Sequence, residues 1–340
     1  MPPPVTELFR TPFAYVPDEK LVGAVNTALL LGQPLLVTGD PGTGKTQLAD
    51  FVARWLGLLR PIKYEVKSST ESGDLFYTVD SMRQFRDYNG PHRDKMNPLD
   101  YIEFQALGLA ILRAADLQKL RDKKDGSFDL LASKMEYTEQ DLWPDTAARL
   151  TFPHRSVVLI DEVDKAPRDV PNDILNEIEL LYFRIPELKR LLGGDDRIKA
   201  RQDLRPVIIF TSNSETNMPA PFLRRCVYFN IEPIKDKEKL HKIIEGRMFA
   251  ARVTVGKRLI DDVLELVFSL HNEREKMTYP PGTAEILSFL MALHRHGAHE
   301  DATLEGCCQT AILVAGTLAK EKKDIRVVEK LLVEHYGKKL

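Results

Sequence analysis

The chain has 340 residues, 43% of them hydrophobic and 29% charged, with 48 Lys and Arg against 50 Asp and Glu for a net charge of −2. That composition is globular and excludes a collagen, a coiled-coil rod or a disordered tail as the whole chain. Near-neutrality argues against a protein that coats nucleic acid by charge alone. Cys226, Cys307 and Cys308 are too few for a disulfide framework and read as reduced thiols. The first residues, MPPPVTELFR, lack the apolar stretch of a signal peptide. The longest apolar run, Leu29–Thr38, is broken by Gly32, Gln33 and Pro34, far short of the roughly 20 residues of a membrane span. A soluble cytoplasmic protein is expected.

Residues 1–11 are Pro-rich and read as a flexible lead-in. Asp18–Leu31 has helical spacing, with Leu21, Val22, Val25, Ala28 and Leu29 on one face. Pro34–Thr38 is a short apolar run bounded by turn residues, hence a buried strand, and Thr46–Leu58 reads as a helix. Further strands are expected at Ile62–Val66, Val157–Ile160, Val207–Phe210 and Val227–Phe229. Their apolar runs are continuous rather than alternating, which implies a parallel sheet covered by helices on both faces. Residues 70–153 change in texture, with mixed charge, turn dipeptides and one expected helix over Ile102–Arg121, and read as an insertion. After Pro233 the strands stop. Helices are expected near Asp236–Phe249, Lys257–Glu275, Thr283–His296, Leu304–Ala319 and Ile325–Tyr336.

Gly39–Thr46 fits G-x-x-x-x-G-K-[ST] between a strand and a helix. Glycines allow successive backbone N–H groups to turn inward as a nest for phosphate oxygens. Lys45 would add a charge at the outer phosphates, the Thr46 hydroxyl would reach Mg²⁺, and the following helix would aim its positive end at the anion. Asp40, Pro41, Gly42, Thr43, Gly44 and Gln47 complete the nucleotide-contacting stretch. Val157–Ile160 runs into Asp161 and Glu162, two carboxylates at the C-terminal end of a buried strand, where α/β sheets bind ligands. Asp161 would hold Mg²⁺ through water, and Glu162 would orient the attacking water. Asp164 reads as structural.

GDPGTGKT, VVLIDEVDKAP, IIFTSN and FLRRC, in this order, resemble the AAA+ ATPases, and DKAPRDVPNDILNEIE with the preceding insertion resembles the MoxR-type branch. The resemblance implies a P-loop α/β fold with a five-stranded parallel sheet over residues 12–233 and a helical lid over 234–340. It implies that Asn213 is the sensor 1 residue and that Arg225 or its neighbour Arg224 is an arginine finger reaching a neighbouring subunit's nucleotide. It implies ATP and Mg²⁺, a homo-oligomeric ring such as a hexamer, a protein client and a von Willebrand A domain partner. Relatives carry a sensor 2 arginine near Pro281–Glu285; this stretch has none. Segments 70–100 and 181–205 match the family's two insertions, the second a hairpin carrying Arg184, Lys189, Arg190, Arg197, Lys199, Arg201 and Arg205 that would face a pore or client. A nucleic-acid motor of restriction type and a non-hydrolysing nucleotide switch are the competing readings. His294, His296, His299, Cys307 and Cys308 do not have the spacing of a zinc site; Cys307 and Cys308 read as core, Trp55 and Trp143 as packing residues.

Overall fold

A computed structural model describes residues 15–90, 97–118, 127–143, 151–189, 196–213, 218–272 and 277–337. The lead-in at 1–11 lies outside them. In chain order the helices and strands are α1 (Glu19–Leu31), β1 (Leu35–Gly39), α2 (Lys45–Trp55), β2 (Ile62–Glu65), β3 (Tyr77–Val79), α3 (Ser81–Tyr88), β4 (Ile102–Phe104), α4 (Ala106–Arg113), α5 (Ser127–Met135), β5 (Val157–Asp161), α6 (Val170–Asp173), α7 (Leu175–Leu180), β6 (Tyr182–Arg184), β7 (Arg197–Lys199), β8 (Val207–Ser212), α8 (Ala220–Leu223) and β9 (Val227–Ile231). Five helices follow: α9 (Lys237–Ala250), α10 (Lys257–Asn272), α11 (Thr283–Arg295), α12 (Cys308–Leu313) and α13 (Lys322–Tyr336).

Five strands make the central sheet in the order β2-β5-β8-β1-β9. β2 pairs with β5, β5 with β8 and β8 with β1, all parallel, with Leu36 opposite Phe210 and Ile160 opposite Phe210 from the other side. β9 runs along β1 in the same direction: the Val227 N–H donates to the Pro34 carbonyl, and Thr38 meets Tyr228 and Asn230. Leu35–Thr38 and Val157–Ile160 are buried on both faces, as their unbroken apolar runs require. Every crossover returns the chain to the same edge, so β1, β5 and β8 all end on one side of the sheet.

By contacts the chain divides into two compact units. One comprises Asp18–Thr38 and Leu48–Asn230, the other Gly39–Gln47 with the chain from Ile231 onward. In the first, the insertion is built on the antiparallel pair β3–β4, and α4 buries its length beneath it. A second antiparallel pair, β6–β7, forms the hairpin expected before the fourth long strand. Phe183 of that hairpin stacks on Phe76 at 5.5 Å, lies tilted against Tyr77 and meets Phe104 edge-on, joining the two small sheets through aromatic contacts. In the second unit the helices share a core built mainly of Leu, Ile, Val and Met, with Phe289 buried beside Leu290 and Leu332 in the same cluster. Asp324, fully buried there, accepts the N–H groups of Thr278 and Tyr279, both at 3.0 Å.

Three expectations change. Ile102–Arg121 is not one helix: Ile102–Phe104 pairs with β3, the helix runs only from Ala106 to Arg113, and 119–126 fall outside the described residues. Leu304–Ala319 holds the short α12 and a 3₁₀ turn at Ala315–Thr317, because the Leu304 N–H is committed to Asp262 at 2.9 Å and Gly306 and Gly316 interrupt the helical run. Trp55 is 55% exposed at the end of α2, whereas Trp143 is buried as expected, its indole N–H donating to the Leu58 carbonyl at 2.8 Å and its ring flanked by Arg54 and Arg60.

Gly108 shows how tightly α4 is seated. A Cβ built there would lie 1.9 Å from the Phe76 carbonyl oxygen, a backbone atom that cannot swing aside. Gly108→Ala is therefore expected to destabilise the fold by about 3 kcal/mol in urea unfolding. Gly246→Ala on α9, where nothing lies within 4 Å, should stabilise it by about 0.5 to 1 kcal/mol.

Candidate functional site

The phosphate-loop residues leave β1 and enter α2. Gly39, Gly42 and Gly44 adopt φ of +141°, +79° and +91°, conformations that L side chains resist, and a Cβ at Gly39 would meet the Ile231 carbonyl oxygen. The Thr43 hydroxyl donates to the Asp40 carbonyl at 2.8 Å and fixes the turn. Lys45 is only 7% exposed, and its Nζ donates to the carbonyls of Gly39 at 2.6 Å and Asp40 at 2.9 Å, so its charge lies over the loop. Thr46 and Gln47 follow in the first turn of α2. Tyr15 packs against Gly44, and burial pushes its phenol well above its usual range. On the other side, a Cβ at Gly42 would touch the Cβ of Ala284 at 3.3 Å and Glu285 Oε2 at 3.6 Å. Ala284 and Glu285 thus occupy the place where an arginine was sought, at the first turn of α11, with Glu285 accepting the Gly282 N–H at 3.1 Å.

The acidic residues gather at the ends of β5 and β8. Asp161 is the last residue of β5, and its carboxylate accepts the Thr211 hydroxyl. The Glu162 N–H donates to the same Thr211 Oγ1 at 3.0 Å. Glu162 itself has φ of +57°, uncommon for a residue with a side chain. Glu162 Oε1 lies 3.4 Å from Asn213 Nδ2, and Oε2 pairs with Lys165 Nζ. Asp164 accepts the Asn213 N–H at 3.3 Å, which ties the backbone just after β8 to the turn after β5. The sequence reading did not single out Thr211 or Lys165; Thr211 reads as an ordinary β-branched strand residue until its buried hydroxyl is placed.

The paired arginines differ. Arg225 Nε is 3.6 Å from Glu179 Oε2 on α7, both exposed, while the Arg224 guanidinium, also exposed, meets no side-chain partner among the described residues. The basic residues of the 181–205 segment are largely engaged within the chain: Arg184 with Asp196, Arg201 with Asp203, and Arg205 on the carbonyls of Gly32, Ile178 and Glu179. Arg190 and residues 191–195 lie outside the described residues. Among the described residues no group of three or more His, Cys, Asp or Glu could hold a metal ion. No described helix is long and apolar enough to cross a membrane.

Comparison with family models matches residues 34–226 to the AAA domain, dynein-related subfamily, which is more than half of the chain. No curated protein sequence matches significantly. Among solved structures, the chain is similar to Thermotoga maritima RuvB, described as a Holliday junction branch migration motor, at 12% identity and TM-score 0.41 over 92% of this chain and 67% of that one. A mutant of the same RuvB aligns at 13% identity and TM-score 0.46, over 97% and 81%. Brucella abortus NtrX in complex with ADP aligns at 14% and 0.44, over 85% and 53%.

The Thr211 hydroxyl makes a clean test of this cluster. Thr211→Val keeps the shape but leaves the Glu162 N–H without its acceptor, and should cost about 1 to 3 kcal/mol in denaturant unfolding. Thr211→Ser, which keeps the hydroxyl, should recover most of that loss.

Proposed function

Because the chain belongs to the AAA domain family, in its dynein-related subfamily, we propose that it is a Mg²⁺-dependent ATPase of MoxR type. Its nucleotide-binding domain spans 12–233 and its helical lid 234–340. Gly39–Gln47 hold the phosphates, with Lys45 giving up its carbonyl partners to the incoming anion. The Thr46 hydroxyl and the Asp161 carboxylate are hard oxygen donors of the kind Mg²⁺ takes, and an ion that keeps phosphate oxygens and waters as its other ligands needs only one or two such groups from the protein. Bound there, Mg²⁺ would neutralise charge on the phosphates.

Glu162 orients the attacking water and Asn213 holds it against the outer phosphate. The observation that carries this reading is the approach of Glu162 Oε1 to Asn213 Nδ2, 3.4 Å apart at the ends of strands β5 and β8. Two groups that must address one water belong within hydrogen-bonding reach of each other. A second subunit completes the site with Arg225 or Arg224, so the active form is a ring, taken as a hexamer. Hydrolysis then drives remodelling or maturation of a protein client in the cytoplasm, recruited with a von Willebrand A domain partner, in the manner of a chaperone.

Steady-state ATP turnover against protein concentration tests the proposal. Turnover per subunit should rise with concentration. Lys45→Ala should lose nucleotide binding, and Glu162→Gln should bind ATP without hydrolysing it. Loss of the acting arginine should lower turnover by about 10³-fold or more with binding retained. Turnover that is independent of concentration and survives both Arg225→Ala and Arg224→Ala would reject the shared site and the ring with it.

A further inference from the structure

The turn after β5 closes back on the residue that begins it. The Lys165 N–H donates to the Glu162 carbonyl at 3.0 Å, and the Lys165 ammonium pairs with Glu162 Oε2. The other carboxylate oxygen, Oε1, faces the Asn213 amide at 3.4 Å, and the Glu162 N–H is taken by Thr211 at 3.0 Å. Backbone and carboxylate are thus both held, and the left-handed turn at Glu162 is what brings residue 165 back within reach.

A glutamate has three side-chain torsions, so a fixed backbone alone leaves its carboxylate free to sweep through several positions. Fixing one oxygen decides where the other one sits. The Lys165–Glu162 pair is half-exposed, at 49% and 30% of the two side chains, and pairs of this kind add little to folding stability. Its consequence is therefore geometric.

We infer that Lys165 is a positioning residue for Glu162: its ammonium holds Oε2 so that Oε1, beside the Asn213 amide, is the oxygen presented to water. The inference rests on the proposed role of Glu162 and adds a cation that this role depends on. It also separates Lys165 from the many lysines that merely solvate the surface, because removal should change turnover without changing stability or nucleotide affinity.

The test uses the full chain, with Lys165→Met to remove the charge while keeping the stem, and Lys165→Arg to keep a cation. Lys165→Met should lower kcat on the order of tenfold, the scale of a modest misplacement of a reacting group. Its ATP Kd by calorimetry and its unfolding midpoint should match wild type, and Lys165→Arg should restore most of the rate. A crystal structure of Lys165→Met should show the Glu162 carboxylate displaced from Asn213. The inference is overturned if Lys165→Met hydrolyses ATP as fast as wild type or faster, if the loss lies in KM alone, if Lys165→Arg is equally impaired, or if the carboxylate keeps its place. Glu162→Gln, run in parallel, separates the two claims. If it hydrolyses at the wild-type rate, the role of Glu162 fails and Lys165 with it; if it is inactive while Lys165→Met is unimpaired, only the inference about Lys165 fails.

Discussion

Thr211 accepts the Glu162 N–H and donates to the Asp161 carboxylate from a fully buried position on β8. Parallel ladders run out of partners at the C-terminal end of a strand, and a buried N–H left there unpaired costs roughly 1 to 3 kcal/mol. The β5–β8 register ends with Ile160 opposite Phe210, so the next N–H along must find something other than a strand. Thr211 supplies that acceptor one residue further on its own strand. With its backbone held, Glu162 can take a left-handed turn that few residues with side chains adopt. The Asp161 carboxylate rests on the Thr211 hydroxyl, while that of Glu162 lies between Asn213 and Lys165. One hydroxyl thus meets both residues of the acidic pair.

The parts of the fold that could be read from the sequence are those whose signal is local. Leu35–Thr38, Val157–Ile160 and Val207–Phe210 are unbroken apolar runs because both faces of a parallel sheet are covered, and the glycines of the phosphate loop are visible because only glycine reaches their φ values. The Ile102–Phe104 segment hides its strand because the partner lies at Tyr77–Val79, and the helical spacing of Leu107, Ala110 and Ile111 extends backward across the boundary. Residue type alone makes Trp55 a packing residue, and its position at the exposed end of α2 decides otherwise. In the site, Asp161, Glu162 and Asn213 announce themselves by following apolar strands. Thr211 does not, since its two partners are 49 and 50 residues away in sequence. Glu179, the partner of Arg225, is hidden for the same reason.

The phosphate loop and the first turn of α11 belong to one compact unit, and they meet through small atoms. Ala284 lies beside Gly42, where a Cβ on the glycine would come within 3.3 Å of the alanine Cβ, and Glu285 turns its carboxylate back onto the Gly282 N–H. An arginine at this turn would bind the outer phosphate directly and so report its presence to the helix. Ala284 carries no charge to do that, and the space it leaves beside position 42 is tight for any residue larger than glycine. Lys45 rests on the Gly39 and Asp40 carbonyls, so an incoming phosphate must draw it off them and rearrange the same peptides that lead to Gly42. At this turn the loop and α11 thus meet by close packing at Gly42, while the Glu285 carboxylate is bonded to the turn's own backbone rather than aimed at the loop.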